Sequence, residues 1–168
     1  MCDGIHDDAT VIAASIVSNR TVVIPPGVVC LVTGVTVTGL TNFRLTGGGT
    51  LKLKANTHAR VLNINSSTDF TIDGVIFDGN KANQNGATDR VNDTLWIADG
   101  KRFLVINNLF MNAYSGTCFI ANNTVTPLNA PNQENNAIIA NNIMKDCGNP
   151  GTAATADGLF AYCDNCDV

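Results

Sequence analysis

The sequence predicts an all-β fold, a right-handed parallel β-helix with an N-terminal capping α-helix, and three observations predict it. The first is a recurring strand. Phe43-Arg44-Leu45-Thr46, Phe70-Thr71-Ile72-Asp73, Phe103-Leu104-Val105-Ile106 and Ala137-Ile138-Ile139-Ala140 follow one another at steps of 27, 33 and 34 residues. A short strand repeated at such spacing is the mark of a solenoid, whose units each bury an apolar face against the next. The second is what lies between the strands: short Gly or Asn corners rather than helices, which argues against a doubly wound fold. Nor are there Asn-Gly hairpins between equal strands, as an antiparallel sandwich would show. Asn85-Gly86 stands alone inside a polar loop. The third is a pair of repeated dipeptides. Asn107-Asn108 and Asn141-Asn142 occupy the same place in successive units, where stacked amides can bond from coil to coil.

In chain order, residues 7–18 read as an amphipathic helix with its apolar stripe at Ile12 and Ile16. Asp7 or Asp8 suits its start, where a carboxylate accepts from the free N–H groups, and Asn19 suits its end. Thr21 to Ile24 is a strand that Pro25-Pro26-Gly27 must stop. Val28 to Val32 and Val35 to Val37 are β-branched strands around Gly34. From residue 40 the repeat takes over with two strands per unit. The main strand of each unit follows an apolar patch: Val61 to Ile64, Leu95 to Ile97, Cys118 to Ile120, then Gly158 to Tyr162. The whole chain, 1–168, reads as one β-helix domain, with cap and first strands in 1–39 and stacked coils in 40–168. The helix at 7–18 would cover one open end of the solenoid. The sequence stops just after a new coil begins, so the expectation is an N-terminal portion truncated at its C-terminus, or an open end that a partner covers.

Composition narrows the function. Only 14% of residues are charged against 45% hydrophobic, which excludes charge-driven disorder. The net charge of −4 and the scattered Lys and Arg leave no basic stripe, so no nucleic acid partner is expected. No apolar run approaches the roughly 20 residues of a membrane span. Met1-Cys2-Asp3-Gly4 does not open a signal peptide, so the sequence reads as cytoplasmic, released by another route such as phage lysis, or a fragment. Six cysteines show no framework, and Cys163-Asp164-Asn165-Cys166 is a lone CxxC without the second pair a structural zinc site wants. Thiols are the favoured reading, ahead of a local disulfide or a metal.

Asp3-Gly4-Ile5-His6-Asp7-Asp8-Ala9-Thr10, a helix, and then Val23-Ile24-Pro25-Pro26-Gly27 resemble the opening of pectate-lyase-like parallel β-helix proteins. That superfamily includes phage tailspike depolymerases and the relatives of pectate lyase, polygalacturonase and the mannuronan epimerases. Ile72-Asp73-Gly74 and Phe77-Asp78-Gly79-Asn80, with the Asn-rich loop beyond, are similar to the family's third-coil region. The resemblance implies a structural, end-capping role for Asp3, Gly4, Asp7 and Asp8. It also implies a polysaccharide partner, a homotrimer, and an extracellular or virion-associated setting. The sequence departs from the family's enzymes: polygalacturonase would bring Asn-Thr-Asp, a second Asp-Asp inside the coils and Gly-His-Gly, and the epimerases Asp-Pro-His-Glu. None of these is present.

Chemistry is best sought in the loop from Asp78 to Asp93, because loops inserted between coils lie on one face and build the groove. Glycoside hydrolysis needs two carboxyl groups, close for retention and wider for inversion. Asp78, Asp89, Asp93 and, one coil on, Asp157 are the candidates. A lyase would need oxygen ligands for Ca²⁺ and a base for the C5 proton, which Asp78, Asp89 and Arg90 could supply. Lys81, Asn83, Gln84, Asn85 and Tyr114 are the candidate substrate-binding residues. The competing reading makes all of these solvated turn residues. Trp96, Phe103 and Tyr114 could stack on sugar rings, though Trp96 sits in an apolar patch and core packing is expected for it. His6 and His58 lack metal-ligand spacing and are expected at the surface. Gly47-Gly48-Gly49-Thr50 lacks the Lys of a phosphate loop and reads as a corner. The expected function is a polysaccharide depolymerase, lyase or glycoside hydrolase. The alternative is a non-catalytic glycan-binding or assembly module.

Overall fold

A computed structural model describes residues 2–84, 93–114, 117–122, 134–148, 159–162 and 164–167. Strand β1 (Asp3–Asp7) leads into α1 (Ala9–Ser15). The first coil then runs through β2 (Thr21–Val23), β3 (Val29–Val32) and β4 (Val35–Thr38), and the second through β5 (Arg44–Thr46), β6 (Thr50–Leu53) and β7 (Leu62–Asn65). The third comprises β8 (Thr71–Asp73), β9 (Ile76–Asp78) and β10 (Leu95–Ala98), and the fourth β11 (Leu104–Ile106), β12 (Leu109–Met111) and β13 (Phe119–Asn122). Last come β14 (Glu134–Ala140), β15 (Ile143–Lys145), β16 (Leu159–Tyr162) and β17 (Asp164–Asp167).

These strands form three sheets running the length of the stack. The first sheet is β1-β3-β6-β9-β12-β15, the second β4-β7-β10-β13-β16, and the third β2-β5-β8-β11-β14-β17. Every pairing is parallel, and each strand pairs with its counterpart one coil away. The chain is a right-handed parallel β-helix. Three strands per coil, rather than the expected two, is a correction. The main stretch of each unit divides at Asp73-Gly74, Asn107-Asn108 or Asn141-Asn142, and its two halves join different sheets.

Register produces the core. Leu45 pairs with Ile72 and Ile72 with Val105, Leu51 with Phe77 and Phe77 with Phe110, and Leu62 with Leu95, so like positions stack and alternate residues point inward. All of these are fully buried. Phe43, Phe70 and Phe103 stack in one file with ring centroids 5.0 and 5.1 Å apart and planes nearly parallel. Burying each such ring contributes roughly 1.5–3 kcal/mol. Phe103 is thereby a core residue and not a sugar platform.

The corners explain the wealth of Asn. Asn19, Asn42, Asp69 and Arg102 each take positive φ at the entry to the third sheet, and Asn136 does so within β14; Asn56, Asn80, Asn112 and Asp146 do so after the first sheet, and Ser66 and Asp99 after the second. Asn and Asp tolerate this left-handed conformation best among residues with a side chain, since they can bond locally. Gly47 is a corner as expected, and for a further reason: a Cβ there would lie 2.1 Å from the Ile24 carbonyl oxygen. The Asn pairs bond along the stack as the sequence indicates. Asn108 Nδ2 donates to Asn142 Oδ1 (3.0 Å) and to the Ile72 carbonyl (3.1 Å), while its Oδ1 accepts from the Val75 N–H (2.9 Å).

The helix is shorter than 7–18. Asp7 ends β1, and its Oδ1 accepts from the Ala9 and Thr33 N–H groups while Oδ2 accepts from the Thr33 hydroxyl. Asp8 stands at the helix start but makes no capping bond. Asn19 lies in a corner four residues past Ser15. Ala9, Ile12 and Ile16 face the core, and α1 rests against β4. The cysteine expectation is also corrected: Cys2 bonds Cys30 and Cys118 bonds Cys147. Coil stacking brings residues 28 and 29 apart in sequence face to face, which a search for local spacing does not reveal. No helix among the described residues is long and apolar enough to cross a membrane.

Candidate functional site

Asp78, at the end of β9, is an outward position by alternation, yet only 5% of it is exposed. Register explains this. Lys52 stands one coil below and Met111 one coil above. Lys52 Nζ lies 3.1 Å from Asp78 Oδ2, and Oδ1 accepts from Asn112 Nδ2 (2.9 Å) and the Asn80 N–H (2.8 Å). A solvated turn residue it is not. The chain then turns at Asn80, whose Nδ2 donates to the Leu53 carbonyl at 2.9 Å, into a short 3-10 helix over Lys81–Asn83.

The candidate binding residues that follow are spent on the scaffold. Asn83 Nδ2 donates to Asn80 Oδ1, and its carbonyl accepts from the Asn56 N–H. Gln84, 7% exposed, accepts from the Thr57 N–H (2.9 Å) and donates to the Lys54 carbonyl (2.8 Å). Lys81 Nζ donates to the Gly148 carbonyl two coils away. Tyr114 is half-buried. Asn85, Asp89, Arg90 and Asp157 lie outside the described residues.

Asp93 closes the loop and is fully buried. Its Oδ1 accepts from the Thr117 N–H (2.9 Å), and its Oδ2 lies 3.2 Å from Arg60 Nε. Arg60 in turn sits over Trp96, its central carbon 3.7 Å from the ring centroid. Trp96 is therefore not a core residue, contrary to the expectation. Leu95 and Ile97 take the inward positions of β10, which leaves Trp96 on the outer face of the second sheet. There it continues a row with Thr36 and Asn63, its partners in register on the coils below. The cation over the ring is worth roughly 0.5–2 kcal/mol, more as it is desolvated. Arg60 escaped the sequence reading, although a signal existed. It stands two places before Leu62, and Trp96 must face outward once Leu95 and Ile97 are assigned inward.

Two separate units emerge. One is Asp93-Arg60-Trp96 on the second sheet. The other is Lys52-Asp78 on the first sheet, beside a cleft of about 510 Å³ whose lining includes Gly4, Leu31, Lys54 and Asn80. Among the described residues, neither Asp78 nor Asp93 belongs to a group of three side chains placed to hold a metal ion. His6 and His58 are exposed, as expected, and His6 Nδ1 is 2.6 Å from Asp3 Oδ2. Three all-parallel sheets stacked coil on coil, with paired polar side chains on their outer faces, define a β-helix solenoid. No family model, curated protein or solved structure matches the chain.

Proposed function

We propose that this chain is a polysaccharide-binding β-helix of the pectate-lyase-like superfamily, which holds glycan on the outer face of its coils in an extracellular or virion-associated setting. The observation that carries the reading is the Trp96-Arg60-Asp93 unit. An aromatic ring on the outer face of a sheet, with a guanidinium held 3.7 Å from its centroid, puts apolar surface and N–H donors side by side, which is what a sugar ring with its hydroxyl groups requires. The disulfides fit an oxidising compartment. A homotrimer is part of the proposal by resemblance.

Binding is favoured over depolymerisation because the described candidate carboxylates are already engaged: both oxygens of Asp78 and of Asp93 have partners within the scaffold. A glycosidase needs one carboxyl free to deliver a proton and another free to attack or to activate water. The test is gel retardation by a panel of polysaccharides, for the native chain and for Trp96→Ala. Retardation by at least one glycan that falls roughly tenfold in Trp96→Ala is the expected result, from a stacking contribution near 1–1.5 kcal/mol. Retardation unaffected by the substitution overturns the assignment of the platform. The same mixtures, with and without Ca²⁺, report catalysis: ultraviolet absorbance of an unsaturated product identifies a lyase, and loss of viscosity without it a hydrolase.

A further inference from the structure

The N-terminal cap, between β1 and α1, contains a buried carboxylate oxygen with nothing to bond. Asp8 is 4% exposed, and its Oδ2 has no hydrogen-bond partner. Its neighbour Asp7 is fully engaged by Thr33 and Ala9, and the Asp8 backbone is fixed by an N–H bond to the Leu31 carbonyl at 2.7 Å. The side chain is thus held where it is at a cost, since a dry carboxylate oxygen without a donor is destabilising. What it faces is sulfur. A carboxylate oxygen of Asp8 and the sulfurs of Cys2 and Cys30 all lie within 4.8 Å of one another, the only such group of three among the described residues. Joined as a disulfide, the two sulfurs offer this carboxylate neither a proton nor a charge. Separated, they would complete a set of anionic ligands around it.

We propose that reduction of Cys2–Cys30 opens a site for a thiophilic divalent cation, Zn²⁺ above all, ligated by Cys2 Sγ, Cys30 Sγ and an Asp8 carboxylate oxygen, with water in the fourth position. A dithiol passes two electrons and two protons to the S–S bond and itself becomes a disulfide, leaving two thiols. The cation displaces those two protons to solvent and forms two metal–sulfur bonds, while the carboxylate adds the third. Zinc bonds thiolate at about 2.3 Å and carboxylate at about 2.0–2.2 Å, so its tetrahedral ligands stand roughly 3.5 Å apart. That span lies within the 4.8 Å that bounds the three ligand atoms, and the two sulfurs, now at bonding distance, must part to reach it. Two sulfur ligands select zinc over calcium or magnesium, which want oxygen alone. The consequence is a coil closed by S–S in one redox state and by S–metal–S in the other. It does not depend on the glycan reading.

The experiment reduces the full chain with a non-chelating phosphine, then titrates Co²⁺ as a spectroscopic stand-in and displaces it with Zn²⁺. The oxidised protein is expected to bind none. The reduced protein is expected to bind one equivalent, with thiolate-to-cobalt charge-transfer absorption and tetrahedral ligand-field bands. Two double variants, Cys118→Ser with Cys147→Ser and Cys163→Ser with Cys166→Ser, keep the signal, and Cys2→Ser abolishes it. Asp8→Asn still forms the disulfide, which reports that its first coil is folded, but binds roughly 10–100-fold more weakly. Failure of the reduced chain to bind, or binding unchanged by Cys2→Ser or by Asp8→Asn, overturns the proposal.

Discussion

From the third coil on, two connections behave in opposite ways. The corner from the third sheet to the first is two residues long in three successive coils, between Asp73 and Ile76, Ile106 and Leu109, and Ala140 and Ile143. Its solution is also repeated, since Asn108 and Asn142 each turn an amide back onto the coil below. The connection from the first sheet to the second varies, running 54–61, 79–94 and 112–118. Each is fastened by its own residues: Gln84 and Asn83 in one, a disulfide from Cys118 to Cys147 between the next two. The uniform corner specifies stacking. The variable connection holds what is particular to this molecule, and both Asp78 and Asp93 stand at its ends. The difference can be measured.

The largest effect is expected where the variable connections are tied covalently. Cys118→Ala with Cys147→Ala removes a crosslink closing 29 residues, worth about 3–4 kcal/mol in the chain-entropy account. The melting temperature should fall by roughly 10 °C. A fall of only one or two degrees would mean that local hydrogen bonds already fasten these segments, and the contrast with the corner would weaken.

Next comes the same chemical deletion made in both places. Asn108→Ala takes from the Val75 N–H its acceptor and from the Ile72 carbonyl one of its donors, in a site only 2% exposed, which should cost about 2–3 kcal/mol. Gln84→Ala also frees one N–H and one carbonyl, on Thr57 and Lys54, but these residues are half-exposed. Water can replace the amide there, and about 1 kcal/mol is expected. Urea unfolding of both variants checks the ratio. Equal losses would remove the distinction between corner and loop.

How much of this the sequence discloses follows from the same division. The repeated strand, the Asn pairs and the Gly47 corner are legible because each recurs or obeys local sterics, and position in the repeat is all they need. The third strand per coil is not, because a two-residue corner such as Gly74-Val75 is too short to interrupt the apolar pattern around it. The disulfides and the Arg60–Asp93 pair join residues 28 to 33 apart, so they become visible only once coils are laid over one another. Trp96 misleads for another reason. An apolar residue between Leu95 and Ile97 looks like more core, and only strict alternation turns it outward. Asp78 and Gln84, chosen as polar loop residues, prove to be fasteners, since the loop's first part needs its backbone groups satisfied like any other.

The smallest effect separates the two kinds of connection by pH. The corner amides of Asn108 and Asn142 do not titrate, so the deficit of Asn108→Ala should be the same at pH 7 and pH 3. The N-terminal cap is held by carboxylates instead. Burial pushes the Asp7 carboxyl up, but the Thr33 hydroxyl and the Ala9 and Thr33 N–H groups outweigh it, and the net shift is downward. The His6 N–H and ring, with the Ile5 N–H, hold Asp3 well below the usual carboxylate range. A carboxyl whose folded pKa is depressed adds stability above its unfolded value near 3.9, and loses that contribution as pH falls through the folded pKa. The melting deficit of Asp7→Asn should therefore be present at neutral pH and shrink as the pH falls below about 4. Thermal melts of the native chain, Asp7→Asn and Asn108→Ala across that range check it. A deficit in Asp7→Asn that stays constant to pH 2.5 would show that its hydrogen-bond geometry, and not its charge, closes the first coil, making the cap the same kind of device as the asparagine corner.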